Sequence, residues 1–328
     1  MTDSRNRIAT LARHEYRAAV RSKILIVLVV ILTVVTAASV YIASVDYAGK
    51  LADYQAYRSA AQASGLDRVA PSPLAALSLL RGAMEYLEII GAVIAIALGY
   101  LTVSRERVNR TLPLIRSRPV TAGELAAGSV LGALGVITTL VAVTGLVGIV
   151  CVGTIGHDWI NGGQALKVLL AYVASIVYMG AFYCLGAIAT AKSNVAANGL
   201  MIALGIWLIV VLVLPQIGDT MDADNQLPGG LFKALGLNHD GEVRILTHFT
   251  TYERIRTWTE EASLAKHFER FSFAMTDVKE RYRPYSLPWL LGQTRNDIGW
   301  LTAYATALFT GLRRALRRQP TIPHGGTQ

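Results

Sequence analysis

The sequence predicts an all-α polytopic membrane protein, on three observations. Hydrophobic residues make up 53% of the chain and charged residues only 16%, against about 25% charged in soluble domains. Several uncharged runs reach or approach the roughly 20 residues that a spanning helix needs. The net charge of +9 follows membrane sidedness: segments predicted to face the cytoplasm hold 16 Lys and Arg against 4 acids, and the rest of the chain is slightly acidic. Anionic lipid is the partner this charge fits. Nucleic acid is not, because the aromatic residues are not interleaved with the basic ones as a stacking platform requires.

Residues 1–23 form a cytoplasmic entry segment. Arg7 to Arg21 reads as an amphipathic helix, with Ile8, Leu11, Tyr16 and Val20 among arginines, lying in the headgroup plane. Ile24 to Val45 is 22 residues without a charge, about 33 Å of helix. It exceeds the roughly 7–15 apolar residues of a signal peptide, and no clear Ala-x-Ala site closes it. It is read as an uncleaved first span. Residues 46–82 follow as an outer loop carrying Pro71 and Pro73. The second span is Ala83 to Val103, with Glu85 and Glu88 in its outer turns.

The third span is Leu125 to Val152, where Gly128 and Gly132 present a small-residue face for close helix packing. After a short outer loop, 153–167, the fourth span runs from Val168 to Thr190 and reverses tightly at Ala191–Asn194. The fifth is Val195 to Leu214 and stops at Pro215, so residues 24–214 hold five spans. Residues 215–297 are read as an extracytoplasmic helical lobe. Tyr252, Ile255, Trp258, Leu264, Phe268, Phe271 and Met275 recur there mostly at three- and four-residue steps and pack the lobe together. The sixth span, 298–312, is short, and the basic tail 313–328 is a cytoplasmic stop. Six spans place both termini in the cytoplasm.

The segment 104–124 is the most informative. Arg105, Arg107, Arg110, Arg116 and Arg118 stand against Glu106 before Pro119, so it lies at the cytoplasmic membrane surface. Leu112, Leu114 and Ile115 form an apolar trio that a purely solvated loop does not need. Thr121 and Glu124 make a capping box that starts the third span. Thr111 caps a short helix ahead of it, with Pro113 tolerated in the first turn. Both ends of this hairpin are anchored, so the trio suits a groove on a cytoplasmic partner, with Arg116 and Arg118 facing acids at its rim.

Motifs for chemistry are missing. No Gly-x-x-x-x-Gly-Lys-Ser/Thr loop exists, so the chain is not itself an ATPase. His14-Glu15 lacks the second histidine of a zinc motif, Ala18 standing in its place. His157, His239, His248 and His267 are scattered, and no metal site is expected. Cys151 and Cys184 lie in apolar runs and read as small hydrophobes.

The run Glu106-Arg107, Thr111-Leu112, Leu114-Ile115 and Ser117-Arg118-Pro119-Val120-Thr121 resembles the signature between the second and third spans of ABC transporter permeases of the type-2 (type V exporter) class. Ala12-Arg13-His14-Glu15-Tyr16-Arg17 resembles that family's entry helix. The chain departs at Arg110, where the family usually has Gly, and at Pro113. The resemblance implies the permease subunit of an ATP-driven exporter, in which Thr111–Ser117 is a coupling helix inserted into a separate ATPase. It further implies two ATPase copies, a second permease chain (identical or paralogous), ATP and Mg on the ATPase with no cofactor on this chain, and a prokaryotic inner (plasma) membrane. The second and fifth spans would line the path, which selects Glu85, Glu88 and Asn198 as pathway candidates. Two other functions also fit the residues: an ion-coupled secondary transporter using Glu85 or Glu88, and a non-transporting sensor or scaffold with residues 216–297 as its receptor.

Overall fold

The computed structural model describes residues 2–64, 75–108, 121–222, 231–237, 241, 244–245, 247–279 and 282–317. Among them every regular element is helical. Helix α1 is Thr2–Val20, and after a two-residue break α2 runs over Lys23–Ala63. Four consecutive pieces make α3: a 3₁₀ turn Ala76–Leu80, an α-helix Arg81–Tyr86, a π turn Leu87–Gly91 and an α-helix Ala92–Val108. Then come α4, Ala122–Thr154, and α5, Gly162–Lys192. Helix α6 joins Ala196–Trp207, a π turn Leu208–Val213 and Leu214–Met221. After a single turn at Leu231–Ala234 follow α7, Thr250–Glu261; α8, Leu264–Met275; α9, Leu287–Gln293; and α10, Arg295–Arg317.

Five helices among the described residues are long and apolar enough to cross a membrane: Lys23–Ala63, Ala76–Arg105, Gly123–Thr154, Gly162–Lys192 and Ala196–Met221. Helix α10 has 23 residues, enough length for a hydrocarbon core of about 30 Å. It falls short in apolar content, because charged residues open and close it (Arg295, Asp297, Arg313, Arg314 and Arg317).

Several boundaries differ from the sequence reading. The helix of the second span begins at Ala76, seven residues before Ala83. Residues 46–63 are not loop: α2 continues through them, since alanines at 48, 52, 56, 60, 61 and 63 favour helix and Lys50 pairs with Asp46 one turn away at 2.7 Å. The fourth span starts six residues earlier than expected, at a reciprocal Asn161/Gln164 capping box. The fifth does not stop at Pro215. Its π turn shifts the ladder to i→i+5, so the carbonyl of Val210 looks for an N–H at position 215 that proline does not have. The Ser263 hydroxyl donates to that carbonyl instead, at 2.7 Å, and the helix runs on to Met221.

Helix α5 is the centre of the bundle, packed on α3, α4, α6, α8 and α10. Tyr178, Met179, Phe182 and Tyr183 are fully enclosed on it. Glycines let it approach α3: a Cβ at Gly99 would run into the Tyr183 carbonyl, and one at Gly186 would lie 2.5 Å from the Ile96 carbonyl. On α2, by contrast, Ile26, Val27, Val30, Val34 and Ile42 point outward while Leu32 and Val40 pack inward. That is the surface of a lipid-facing helix.

Candidate functional site

The up-and-down threading gives the bundle two ends. The proximal end carries α1 and the anchors of the 104–124 segment. Helix α1 does not stand apart as a surface helix; it lies along the first half of α4, running in the same direction. Three glycines make this contact: Cβ atoms at Gly128, Gly132 and Gly135 would meet Leu11 at 2.5 Å, the Ala12 carbonyl at 2.7 Å and the Tyr16 ring at 3.2 Å. The small-residue face of the third span therefore serves close packing, with α1 as its partner. Tyr16 extends the contact by hydrogen bonding Thr139 at 3.2 Å.

The same end ties α1 to both anchors of the segment. The Thr121 capping box is present: the Glu124 N–H donates to Thr121 Oγ1 at 3.2 Å and the Thr121 N–H donates to Glu124 Oε2 at 2.8 Å. Arg7 lies 3.7 Å from Glu124. On the other anchor, Glu15 accepts from Thr102 Oγ1 at 3.4 Å and from Arg105 at 3.5 Å. Arg313 of α10 lies beside Gly123. Glu106 and Arg107 continue the α3 helix as backbone; their side chains lie outside the described residues. So do Thr111, Leu112, Leu114, Ile115, Arg116 and Arg118.

Burial holds the Glu15 carboxyl above its ordinary 4.5, opposed by Arg105 and His14. A carboxyl so placed binds its proton more tightly folded than unfolded. Its stabilisation is therefore complete below the ordinary value and falls as pH rises through the raised one. Glu15→Gln keeps the acceptor for Thr102 and Arg105 but removes the charge. Between pH 5 and 8 its thermal midpoint in detergent should decline less than that of the wild type; coincident slopes would rule this account out.

The distal end is built around α8. The predicted apolar stripe splits here: Leu264, Phe268, Phe271 and Met275 are buried against the spans, whereas Tyr252, Ile255 and Trp258 of α7 are exposed. Phe268 stacks on Tyr178 of α5 at 4.6 Å. Helix α8 is thus a wedge in the bundle and not the core of a separate lobe. Polar residues enter with it. Lys266, 7% exposed, reaches Asp219 and Glu269, each at 2.8 Å. Burial lowers its proton affinity, but the carboxylates of Glu269 and Asp219 outweigh that and hold the ammonium above its usual range. His267 is enclosed, with Nδ1 2.8 Å from Asp297 and Nε2 3.0 Å from the Glu261 carbonyl. Arg270 bridges Glu260 and Glu261 at 2.8 Å, and Arg256 reaches Asp222 at 2.6 Å. These charges join α6, α7, α8 and α10 into one ionic layer. Hydrophobic periodicity cannot register it, because it is made of residues that read as solvated.

The pathway candidates separate. Glu85 pairs with Arg81 at 2.7 Å and is half exposed. Glu88 sits in the π turn of α3, only 8% exposed, well inside a helix that begins at Ala76 and not at its outer rim. The Tyr178 hydroxyl donates to its backbone carbonyl at 3.0 Å. Asn198 lies in the first turn of α6 and is exposed, at the opposite end of that helix from Val210 and Asp219. The structure does not bring it together with Glu88. Both spans expected to line the path carry a π turn, a feature frequent at functional positions. In each, a hydroxyl from a neighbouring element satisfies a carbonyl. The sequence signal for one of them was Pro215; the other had none.

No curated protein matches the chain. The profile of ABC-2 family transporter proteins matches residues 9–310, from α1 through most of α10. That span contains the buried bundle, the α1 contact and both ends just described. With several helices fit to cross a membrane, and with the family's implied dependence on an ABC ATPase, the chain belongs to the ABC-2 family of transporter proteins, as a membrane permease.

Proposed function

We propose that this permease is the membrane subunit of an ATP-driven exporter, coupled through Thr111–Ser117 to a separate ATPase. The supporting observation is that both anchors of the 104–124 segment are tied to one helix: Glu15 to Arg105, and Arg7 to Glu124. A push on the segment is delivered to α3 and α4 together through α1. Leu112, Leu114 and Ile115 fill a groove on the ATPase, Glu106 and Arg107 open the docking segment, and Arg116 and Arg118 pair with acids at the rim.

In this reading α10 is the sixth span, over 298–312, and both termini face the cytoplasm of a prokaryotic cell. The residues that follow α6, up to 297, lie on the outer side, with α8 wedged into that end of the bundle. Two permease chains, identical or paralogous, stand over two ATPase copies that hold ATP and Mg. ATP-driven closure of the ATPases tilts α3 and α4 and alternates access along α3 and α6, where Glu85, Glu88 and Asn198 are the pathway candidates.

The test is Leu112→Asp with Ile115→Asp, co-expressed with the cognate ATPase. Transport-linked ATP turnover should fall about tenfold or more, the equivalent of at least 1.4 kcal/mol of lost coupling. Membrane insertion should be unchanged. A double variant that co-purifies with a fully coupled ATPase rejects the docking role.

A further inference from the structure

We propose that α7 lies in the interface of the outer leaflet, with Tyr252, Ile255 and Trp258 set against lipid. The helix is built inside out. Its charged side faces the protein: Arg256 reaches Asp222 at 2.6 Å, Glu260 at 3.1 Å and Glu253 at 3.3 Å. Arg270 of α8 also reaches Glu260, at 2.8 Å, and the Glu260 side chain packs on Gly218 of α6. The apolar side is turned away from the bundle. Tyr252, Ile255 and Trp258 are exposed, Trp258 at 77%, and their three-residue steps keep them on one broad arc of the helix. A helix at a water surface does the reverse, burying its apolar stripe and solvating its charges. Charges turned inward and apolar groups outward are the arrangement of a helix with apolar surroundings.

Two further observations favour lipid over a protein partner. Helix α7 packs on the last section of α6. The outward side of α6, a helix apolar enough to cross the membrane, exposes Leu208, Ile209, Leu212, Val213 and Ile217. The α7 face continues that surface. The other observation is where the tryptophans stand. Of the five in the chain, Trp159, Trp258, Trp289 and Trp300 are at the distal end, and all four are exposed. Trp159 lies between α4 and α5, Trp289 on α9 and Trp300 in the second turn of α10. Tryptophan gathers at the membrane–water boundary because its ring is amphipathic. This belt sets the boundary at the level of α7. Arg254 and Thr257 are exposed beside Trp258 and suit the headgroups there. A helix in that plane sinks its apolar face about 5–10 Å into the headgroup/acyl boundary.

The experiment uses the full chain in phosphatidylcholine nanodiscs and reads tryptophan emission. The difference between wild type and Trp258→Phe isolates Trp258; the ring is exposed, so phenylalanine there disturbs no packing. Phosphatidylcholine dibrominated at carbons 6 and 7 should cut that difference about twofold or more, and lipid dibrominated at carbons 11 and 12 should cut it less, because the face is shallow. Acrylamide in the water should quench Trp258 less than it quenches free tryptophan amide. Strong acrylamide quenching with no effect of bromine puts α7 in water and overturns the proposal. Quenching by neither also overturns it, since a second copy or another protein then covers the face. Equal or stronger quenching by the deeper bromines puts the face in the acyl core, where Arg254 cannot follow, and overturns the interfacial placement. The distal end is outer by the orientation proposed above, but depth is read whichever leaflet holds the helix. Neither nucleotide nor ATPase is present, so failure here leaves the coupling proposal standing, and failure of coupling leaves this placement standing.

Discussion

Replacing Gly186 with leucine should prevent this permease from accumulating as a monodisperse folded protein. A Cβ there would lie 2.5 Å from the Ile96 carbonyl and 2.9 Å from its Cα. Both are backbone atoms of α3, so no side chain can turn aside to make room. The helices must separate, and α5 touches five others, so the displacement spreads through the bundle. Overpacking a tight core costs about 1–3 kcal/mol even when side chains can adjust. Gly186→Ala should lower the thermal midpoint by several degrees, on the order of that same cost. The control is Gly205 on α6, where nothing lies within 4 Å of an added Cβ. Gly205→Ala should be neutral or stabilise by up to about 1 kcal/mol, the ordinary helix preference for alanine. Equal behaviour of the two alanine variants, measured by size-exclusion melting curves, would contradict the close-packing account.

The second large effect is expected at Lys266. Lys266→Met keeps the apolar stem and removes the ammonium that holds Asp219 and Glu269. Glu88 also loses a cation whose charge acts on it. Breaking a buried pair by removing one partner costs about 3–5 kcal/mol; Asp219 is partly exposed, which places the loss near the lower end, about 3 kcal/mol. Because the Lys266 proton affinity is raised, its contribution is complete at neutral pH and is lost only as pH climbs past the usual lysine range. Adding Glu269→Gln to Lys266→Met should recover part of the loss. A single variant as stable as the wild type, or no recovery in the double, would show that the ionic layer does not support the distal end.

Much of the chain is legible without coordinates. Uncharged runs marked the five apolar spans, since hydrocarbon tolerates neither charge nor unsatisfied backbone. The Thr121/Glu124 capping box is a local device with a local signature, and it is present as read. The signature at 104–124 pointed to the family that the profile over residues 9–310 bears out. Local chemistry and composition carry these features, so sequence alone determined them.

The tertiary structure decided what depends on partners distant in the chain. Only packing shows that the Gly128, Gly132 and Gly135 face receives α1, because a small-residue strip does not name what lies against it. Pro215 reads locally as a stop; the helix passes it because Ser263, 48 positions later, supplies the missing donor. Lys266 and His267 are polar residues yet are buried, since carboxylates from α6, α8 and α10 satisfy them. Glu88 reads as a rim residue and lies inside, because the chain begins its helix two turns earlier than the apolar pattern suggests. Polarity along a sequence records a residue's own preference for water; whether that preference is met by solvent or by another side chain is settled only when the helices pack.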